Sequence, residues 1–333
     1  MSAFEDFIGK FNPKQKKELQ FATDIRVEIL PLASRTLTKA LGGGIRRGTI
    51  TTIFGNPSAG KSMLAMQSIG MWQKQGLVCG YIDVEQTFDP NFAAKLGVNT
   101  DELVVSGSKS GARVTNTATD WLEKDIDVIV IDSVSDILPE VFVDKDGTVK
   151  GAEDTKQIGA QAKAITSMIN SIHYANNNTA VILLSQTTTK IEATYTQQIP
   201  HGGKKIEFGS SQMIQLTSSP ADAQQIKGLH RDGDILVERP IGRSVTAAVK
   251  KNKVGPQSGT AKYDIYYGGD NIGIDAEGEL FDMAVDSLVV IKNGAWFSYK
   301  DYSWHGRPAA LEDLRNSEEL CKELEQAIGR QEE

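Results

Sequence analysis

The chain has 333 residues, of which 40% are apolar and 24% are charged, and its formal net charge is −7. A chain of this length holds more than one hydrophobic core, so we expect one large domain with smaller additions. The composition is typical of a globular protein. The negative charge excludes coating of nucleic acid through bulk charge, so any nucleic-acid contact requires lysines that cluster locally.

The apolar runs at residues 128–131 and 180–184 are too short to span a bilayer and are typical of buried strands. The amino-terminal stretch MSAFEDFIGKF mixes charged residues with Phe and contains no apolar core of a signal peptide. The two cysteines, Cys79 and Cys321, lie in an apolar strand pattern and a polar helix, which predicts no disulfide framework. We therefore expect a cytoplasmic protein that contacts no membrane.

The first predicted element is a short amphipathic helix with Phe4, Ile8 and Phe11 on one face, followed by a strand at residues 25–30. We expect this helix and strand, residues 1–34, to form an arm that packs on another subunit. A cap on the same subunit fits the pattern equally well.

From residue 49 onward, apolar strands alternate with helices, which is typical of a parallel sheet covered on both faces. Three later strands alternate apolar and polar residues, and we expect them to form an antiparallel edge of the same sheet. The strands are predicted at 49–54, 77–84, 103–106, 128–132 and 180–186, the edge strands at 212–217, 245–250 and 262–267, and the helices at 61–75, 91–96, 115–123 and 155–176.

Two long polar stretches, residues 140–156 and 187–209, fit neither a helix nor a strand, and loops of this length tend to be functional or disordered. From about residue 275 the chain is charged and helical. The aromatic residues in this part are expected to pack in the core of a small C-terminal domain; they are Trp296, Phe297, Tyr299, Tyr302 and Trp304. The predicted domains are residues 1–34, 35–270 and 271–333.

Residues 55–62, GNPSAGKS, match the phosphate-loop pattern GxxxxGK[ST] between an apolar strand and an amphipathic helix. Backbone N–H groups of such a loop face the β-phosphate, and the helix N-terminus adds a positive dipole. Lys61 is predicted to reach the β- and γ-phosphates, and the Ser62 hydroxyl oxygen to bind Mg²⁺. The predicted nucleotide-binding loop consists of Gly55, Asn56, Pro57, Ser58, Ala59, Gly60, Lys61 and Ser62.

Two carboxylates end buried strands beside this loop. Asp132 ends the strand VIVID, where a negative charge is needed next to the water shell of Mg²⁺. Glu85 ends the strand YIDVE and is predicted to orient a water for attack on the γ-phosphate. Asp83 is the competing candidate, but it lies deeper, whereas ligands bind at the rim of such sheets.

Several segments resemble bacterial RecA, the family of DNA strand-exchange recombinases, in the same order along residues 35–330. They are YIDVEQTFDPNFAAKLGV, DVIVIDSVSDILP, HGGKKIEF, VKKNKVGP and NGAWFSYKDYSWHGRPAALEDLRN. The resemblance implies an α/β fold with a RecA-like P-loop NTPase core, a twisted and mostly parallel sheet flanked by helices, and a small α/β C-terminal domain. It also implies ATP and Mg²⁺ as cofactors.

At the nucleotide, the resemblance implies that Glu85 positions the attacking water and that Asp89 and Phe92 lie near the adenine. Gln186 would sense the γ-phosphate. Across a subunit interface, Lys251 and Lys253 would reach the phosphates of the neighbour's ATP, and Phe208 would lie at or near that interface.

The two unassigned polar stretches correspond, by the same resemblance, to DNA-binding loops at about residues 140–163 and 187–209. Lysines with an interleaved aromatic suit single-stranded DNA, because they neutralise the backbone and contact bases. The first loop has a net negative charge, so a solvated loop remains an alternative there. The predicted DNA-binding residues are Lys190, Tyr195, Gly202, Gly203, Lys204 and Lys205.

The sequence also departs from the family pattern. The phosphate loop reads GNPSAGKS where bacterial RecA usually reads GPESSGKT, and Gln86 stands where a His usually follows the glutamate. Residues 221–242 are longer than the family pattern predicts, and their role is open. These departures indicate a bacteriophage or otherwise divergent member.

We therefore expect a recombination and DNA-repair protein that forms a helical filament on single-stranded DNA, pairs it with homologous duplex DNA and hydrolyses ATP in a DNA-stimulated way. A single-strand-binding protein and loader proteins are possible partners. Two alternatives remain open: a hexameric helicase with a RecA-like core and an ATP-gated regulator that is not a recombinase. The Gly-Gly exit of the second loop and the VKKNK motif argue against the helicase.

Overall fold

The computed structural model describes residues 3–19, 21–24, 26–139, 159–191, 196–218, 225–232, 235–269 and 271–332. Most of the predicted first DNA loop, as well as Tyr195, lies outside these residues. The strands in chain order are β1 (Ile29–Leu30), β2 (Ile45–Arg46), β3 (Ile50–Gly55), β4 (Cys79–Asp83), β5 (Leu103–Gly107), β6 (Val128–Asp132), β7 (Ala180–Ile191), β8 (Thr196–Pro200), β9 (Gln212–Thr217), β10 (Gln225–Asp232), β11 (Ile235–Asn252), β12 (Gly259–Tyr266), β13 (Gly273–Ile274), β14 (Ile291–Asn293), β15 (Trp296–Tyr299) and β16 (Tyr302–His305).

Helices connect and cover these strands. They are α1 (Ala3–Gly9), α2 (Pro13–Glu18), α3 (Arg35–Ala40), α4 (Lys61–Lys74), α5 (Pro90–Lys95), α6 (Gly111–Glu123), α7 (Ala160–Ala175), α8 (Lys204–Gly209), α9 (Ala276–Asp286), α10 (Arg307–Asn316) and α11 (Glu318–Glu332). In the described part of the chain, no helix is both long and apolar enough to cross a membrane.

Eleven of the described strands form one mixed sheet in the order β13-β12-β11-β9-β3-β7-β6-β4-β5, with β10 beside β11 and β8 beside β7. The neighbouring pairs from β9 to β5 along this order are parallel. This confirms the predicted mostly parallel sheet flanked by helices.

The predicted antiparallel edge begins one strand later than expected. β9 pairs with β3 in parallel and with β11 antiparallel, so residues 212–217 belong to the parallel part of the sheet. The alternation that suggested an edge strand comes from Gln212 and Gln215, which are both buried. Gln212 is satisfied there, since its side-chain amide donates to the Gly44 carbonyl at 3.0 Å.

The central sheet separates two apolar layers, because successive side chains of a strand point to opposite faces. In β6, Val128 and Val130 pack on one side with α4, whereas Ile129 and Ile131 pack on the other side with α6 and α7. Such strands read as continuous apolar runs because both of their faces are covered.

Two stretches without a predicted element form hairpins. β7 extends to Ile191 and pairs antiparallel with β8, so much of the predicted second loop is strand, followed by α8. Residues 225–232 and 235–243 form a second hairpin, β10 with the first half of β11. Both hairpins are defined by backbone hydrogen bonds. Their sequences are largely polar and lack the apolar periodicity from which a strand is predicted.

The N-terminal segment differs from its prediction in one respect. Of the described residues 26–30 of the predicted strand, only Ile29 and Leu30 form a strand, and they pair with β2 in a separate two-stranded sheet. α1 has no buried residue, and Phe4 and Phe7 are more than half exposed. The packing of this arm on another subunit stays a prediction.

The C-terminal helices α9, α10 and α11 and the sheet β14-β15-β16 enclose their own apolar cluster, which confirms a small C-terminal domain. The expectation that all its aromatics are core residues is wrong for Trp296, which is 53% exposed, and for Tyr302, which is 40% exposed. Strand alternation explains Trp296, because the neighbouring Phe297 takes the buried face. Tyr302 shares the face of Trp304 but is the first residue of β16, at the edge of the cluster.

One buried carboxylate joins this domain to the core. Glu279 of α9 accepts hydrogen bonds from the Ser34 hydroxyl at 2.7 Å, from the Arg35 and Thr36 N–H groups at 3.1 Å each, and from the Thr36 hydroxyl. These donors form the N-terminus of α3, where a negative charge is favourable. Burial nevertheless raises the pKa of Glu279 above its ordinary value.

Candidate nucleotide-binding site

The phosphate loop joins β3 to α4 and lies at the edge of the sheet where the parallel strands end. Two of its glycines are required by the backbone. A Cβ on Gly55 would lie 2.2 Å from the Leu216 carbonyl oxygen of β9, and Gly60 begins α4 with φ +90°. A loop with these glycines, leading into the N-terminus of α4, has the conformation that presents backbone N–H groups to a phosphate.

Lys61 is 9% exposed and lies inside this curl. Its ammonium donates hydrogen bonds of 3.0 Å to the carbonyl oxygens of Gly55 and Asn56. Burial lowers its pKa, and the negative charges of Asp132 and Glu85 oppose that shift. A buried ammonium held by neutral carbonyls at a helix N-terminus suits an anionic phosphate group.

Asp132 ends β6 and faces the start of α4. Its Oδ2 accepts a hydrogen bond from the Ser62 hydroxyl at 2.6 Å and from the Tyr81 hydroxyl at 2.5 Å. Burial raises the pKa of Asp132, and the two hydroxyls partly offset that rise. A hydroxyl beside a buried carboxylate, next to a phosphate loop, fits the donor set that holds Mg²⁺ on a nucleotide.

The structure separates the two candidate carboxylates after β4. Asp83 accepts hydrogen bonds from the backbone N–H groups of Gln86 at 2.9 Å, Thr87 at 3.2 Å and Phe88 at 2.9 Å. Its carboxylate is thus bound into the turn that follows the strand. Glu85 lies within that turn, and its backbone N–H donates to the Asp132 carbonyl at 3.2 Å.

The Glu85 side chain is half-buried among like charges. Burial raises its pKa above the ordinary glutamate value, and Asp132 and Asp136 raise it further, while Lys61 lowers it. A carboxylate with a raised pKa at the rim of a cleft is suited to proton transfer or water alignment.

A cavity of about 410 Å³ adjoins the phosphate loop. Phe92 lines it, while Asp89 caps α5 by accepting from the N–H groups of Asn91 at 2.8 Å and Phe92 at 3.3 Å. The cavity is large enough for a nucleoside and offers an aromatic side chain for the base.

Two further residues line this cavity, Arg243 and Tyr267, and neither was predicted from the sequence. The Arg243 guanidinium carbon lies 5.0 Å from the centroid of the Tyr267 ring. They lie on β11 and just after β12, far from the phosphate loop in sequence. No motif singled them out, and only the pairing of β11 with β12 brings them to the loop.

The remaining predicted site residues form two groups. Gln186 of β7 is paired with Gly55, so it lies at the start of the phosphate loop. Phe208, Lys251 and Lys253 line a separate cavity of about 420 Å³, where the Lys251 ammonium donates to the Glu207 carbonyl. Phe208 is 72% exposed there.

The predicted DNA-binding residues are only partly described. Gly202 and Gly203 have φ values of +117° and +89° and lead into α8, which begins with Lys204 and Lys205. The φ of +117° at Gly202 is one that other residues rarely adopt, so this turn favours glycine. The backbone of Lys190 lies in β7, but its side chain and all of Tyr195 fall outside what the structure describes.

This fold and this site define a P-loop nucleotide-binding protein. The family model for the RecA N-terminal domain matches residues 6–273, and that for the RecA C-terminal domain matches residues 278–332. "Protein RecA" of Kineococcus radiotolerans is 33% identical over 308 residues, covering 91% of this chain and 82% of the relative. "Protein RecA" of Frankia casuarinae is 34% identical over 309 residues, covering 91% and 83%.

The chain therefore belongs to the RecA family. Membership supports a role in recombination and DNA repair. It does not favour the hexameric helicase or the regulator that is not a recombinase.

Proposed function

We propose that this chain is an ATP-dependent recombinase of the cytoplasm that assembles as a helical filament on single-stranded DNA and exchanges strands with homologous duplex DNA. The observation that carries the proposal is the convergence of Lys61, Ser62, Asp132 and Glu85 at one edge of the sheet in a chain of this family. Hydrolysis of ATP, stimulated by DNA, would then release the product.

The residues of the phosphate loop hold the triphosphate of ATP in this proposal. The loop N–H groups and Lys61 bind phosphate oxygens, and Ser62 with Asp132 holds the magnesium ion and its water. Mg²⁺, when bound, neutralises charge that develops on the phosphates. Glu85 aligns the attacking water, while Phe92 and Asp89 form the base end of the site.

Contacts between subunits couple the nucleotide to DNA. Lys251 and Lys253 of one subunit reach the phosphates of the ATP bound by the next, and Phe208 lies at that interface. Gln186 begins the outer half of β7, so a contact between Gln186 and the γ-phosphate acts directly on the β7–β8 hairpin. That hairpin and the glycine turn after it bind single-stranded DNA, with Lys190, Tyr195, Gly202, Gly203, Lys204 and Lys205 as its contacts.

In the proposed domain organisation, each of three parts of the chain has its own role. Residues 1–34 form the arm that joins subunits, residues 35–270 form the ATPase core with both DNA loops, and residues 271–333 form the C-terminal domain. A single-strand-binding protein and loader proteins are proposed as further partners.

The test measures ATP hydrolysis with and without single-stranded DNA and images the same samples by negative-stain electron microscopy. We expect strong stimulation by DNA together with helical filaments, followed by strand exchange on a homologous duplex. Closed rings would instead support a helicase. No stimulation and no assembly would contradict the proposal.

The matched variants are Lys61→Ala and Lys74→Ala, at opposite ends of α4. Lys61 lies inside the phosphate loop, whereas Lys74 is exposed at the last turn of the helix. Lys61→Ala should abolish hydrolysis and nucleotide binding, because the buried cation that contacts the phosphates is lost. Lys74→Ala should behave as the wild type, and full activity of Lys61→Ala would overturn the site.

A further inference from the structure

Tyr81 is a phenol buried in the middle of β4, between the phosphate loop and the turn after the strand. Its side chain is 2% exposed. Its hydroxyl donates to Asp132 Oδ2 at 2.5 Å, and the Ser62 hydroxyl donates to the same oxygen at 2.6 Å. Two donors on one carboxylate oxygen restrict the Asp132 side chain. Rotating the carboxylate away from this orientation would break both hydrogen bonds.

The two donors differ in what else they serve. The Ser62 oxygen is the proposed ligand of Mg²⁺, so its orientation depends on the nucleotide as well as on Asp132. The Tyr81 hydroxyl acts on Asp132 whether or not a nucleotide is present.

The ring of Tyr81 also contacts the segment that carries Glu85. Its centroid lies 5.4 Å from that of Phe88, whose backbone N–H is bound by Asp83. The ring is therefore fixed at both ends: the hydroxyl is bound by Asp132 and the ring packs on Phe88. A rigid donor of this kind sets the direction of the carboxylate without side-chain rearrangement.

We propose that Tyr81 is a positioning residue of the magnesium site, and that its hydroxyl holds the Asp132 carboxylate in the orientation that serves Mg²⁺ and its bound water. The inference rests on the proposed binding of ATP and Mg²⁺ at the phosphate loop. It deepens that proposal, because it assigns to β4 a role in metal affinity separate from the role of Glu85 in hydrolysis. The hydroxyl matters for the metal and not for the phosphates, which Lys61 and the loop N–H groups contact directly.

The test compares Tyr81→Phe with Tyr263→Phe by fluorescence titration of a labelled ADP at a series of Mg²⁺ concentrations and in EDTA. Both tyrosines are buried in the sheet, but the Tyr263 hydroxyl has no hydrogen-bond partner among the described residues. Tyr81→Phe should need about 10-fold more Mg²⁺ for half-maximal tight binding, which is the usual cost of losing an outer-sphere partner of a metal ligand. Its ADP affinity in EDTA and the behaviour of Tyr263→Phe should match the wild type.

The affinity in EDTA also reports whether Tyr81→Phe keeps its loop intact. If Tyr81→Phe binds ADP in EDTA as the wild type does and needs no more Mg²⁺ for half-maximal tight binding, the inference about Tyr81 is overturned. The proposed nucleotide site would still stand. An equal loss of affinity with and without Mg²⁺ would also overturn it, because the hydroxyl would then support the loop as a whole. A wild-type protein that binds ADP without any response to Mg²⁺ would overturn the proposed metal site itself, and the inference with it.

Discussion

Replacing Asp83 should show that its carboxylate organises the turn that carries Glu85. Asp83→Ala removes the acceptor of three backbone N–H groups, those of Gln86, Thr87 and Phe88. A hydrogen bond to a charged group contributes roughly 1.5–3 kcal/mol to stability. The three bonds are not additive, and the N–H groups of the exposed Gln86 and Thr87 can turn to water. We therefore expect a loss of about 2–4 kcal/mol in the free energy of unfolding.

Asp83→Asn provides a graded comparison at the same position. The carboxylate uses Oδ1 for Gln86 and Thr87 and Oδ2 for Phe88, whereas an amide has only one acceptor oxygen. In one orientation of the amide, the NH₂ faces the Phe88 N–H, which then has no acceptor. In the other orientation, the NH₂ faces the N–H groups of Gln86 and Thr87, and those two lose their acceptor. Asp83→Asn should therefore lose stability and hydrolysis rate, but less of each than Asp83→Ala.

Urea unfolding followed by circular dichroism measures the stability of these variants, and steady-state ATP hydrolysis measures the displacement of Glu85. Asp101→Ala is the control, since Asp101 is exposed in a short 3₁₀ turn. It should change stability by no more than about 0.5 kcal/mol. If Asp83→Ala behaved like Asp101→Ala, the carboxylate would not hold the turn and the reasoning would be refuted.

The further predictions concern the half-buried Asp136 and the buried Glu279. Asp136→Asn should move the acid limb of the pH–rate profile of hydrolysis to lower pH, because Asp136 raises the pKa of Glu85, whose ionised form is the active one; an unshifted limb would contradict this assignment. Glu279→Ala should lower the free energy of unfolding by about 3 kcal/mol, because it leaves the donors of Ser34, Arg35 and Thr36 unpaired. Glu279→Gln keeps an acceptor oxygen and should lower it by only about 1 kcal/mol. Since burial raises the folded-state pKa of Glu279, its contribution to stability falls as pH rises from its ordinary pKa through the folded value, and a calorimetric pH series of wild type against Glu279→Gln would detect that difference.

The parallel core and the phosphate loop were predictable because they follow from local chemistry. Strands such as β6 are buried on both faces and therefore read as apolar runs. The loop is a contiguous motif that needs glycine at two positions. A Cβ on Gly55 would clash with the backbone of β9, and Gly60 has a positive φ. Ser62 and Asp132 were each predicted at the magnesium site, and the structure places them within hydrogen-bond distance of each other.

What remained unpredicted depends on contacts between distant segments. The bond from Tyr81 to Asp132 requires the lateral pairing of β4 with β6, which no pattern within either strand specifies. Arg243 and Tyr267 line the nucleotide cavity because β11 and β12 pair with each other next to the phosphate loop, where Val245 and Ile265 lie close to Gly60. The β7–β8 and β10–β11 hairpins carry polar side chains, so the apolar periodicity that reveals other strands is missing there.

The length of β11 has a consequence for communication along a filament. This strand is 18 residues long and carries Arg243 at the nucleotide cavity of its own subunit and Lys251 near its far end. The eight residue-to-residue steps from Arg243 to Lys251 span about 26 Å of extended chain. A bulge between Val249 and Lys251 pairs Lys251 with Met213 while Val249 pairs with Ile214, so the lysine leaves the buried face of the strand. In the proposed filament, one stiff strand thus fixes the distance between two successive ATP molecules. Inserting a single residue between 243 and 251 would change the spacing of Arg243 and Lys251 and turn one of them to the other face of the strand.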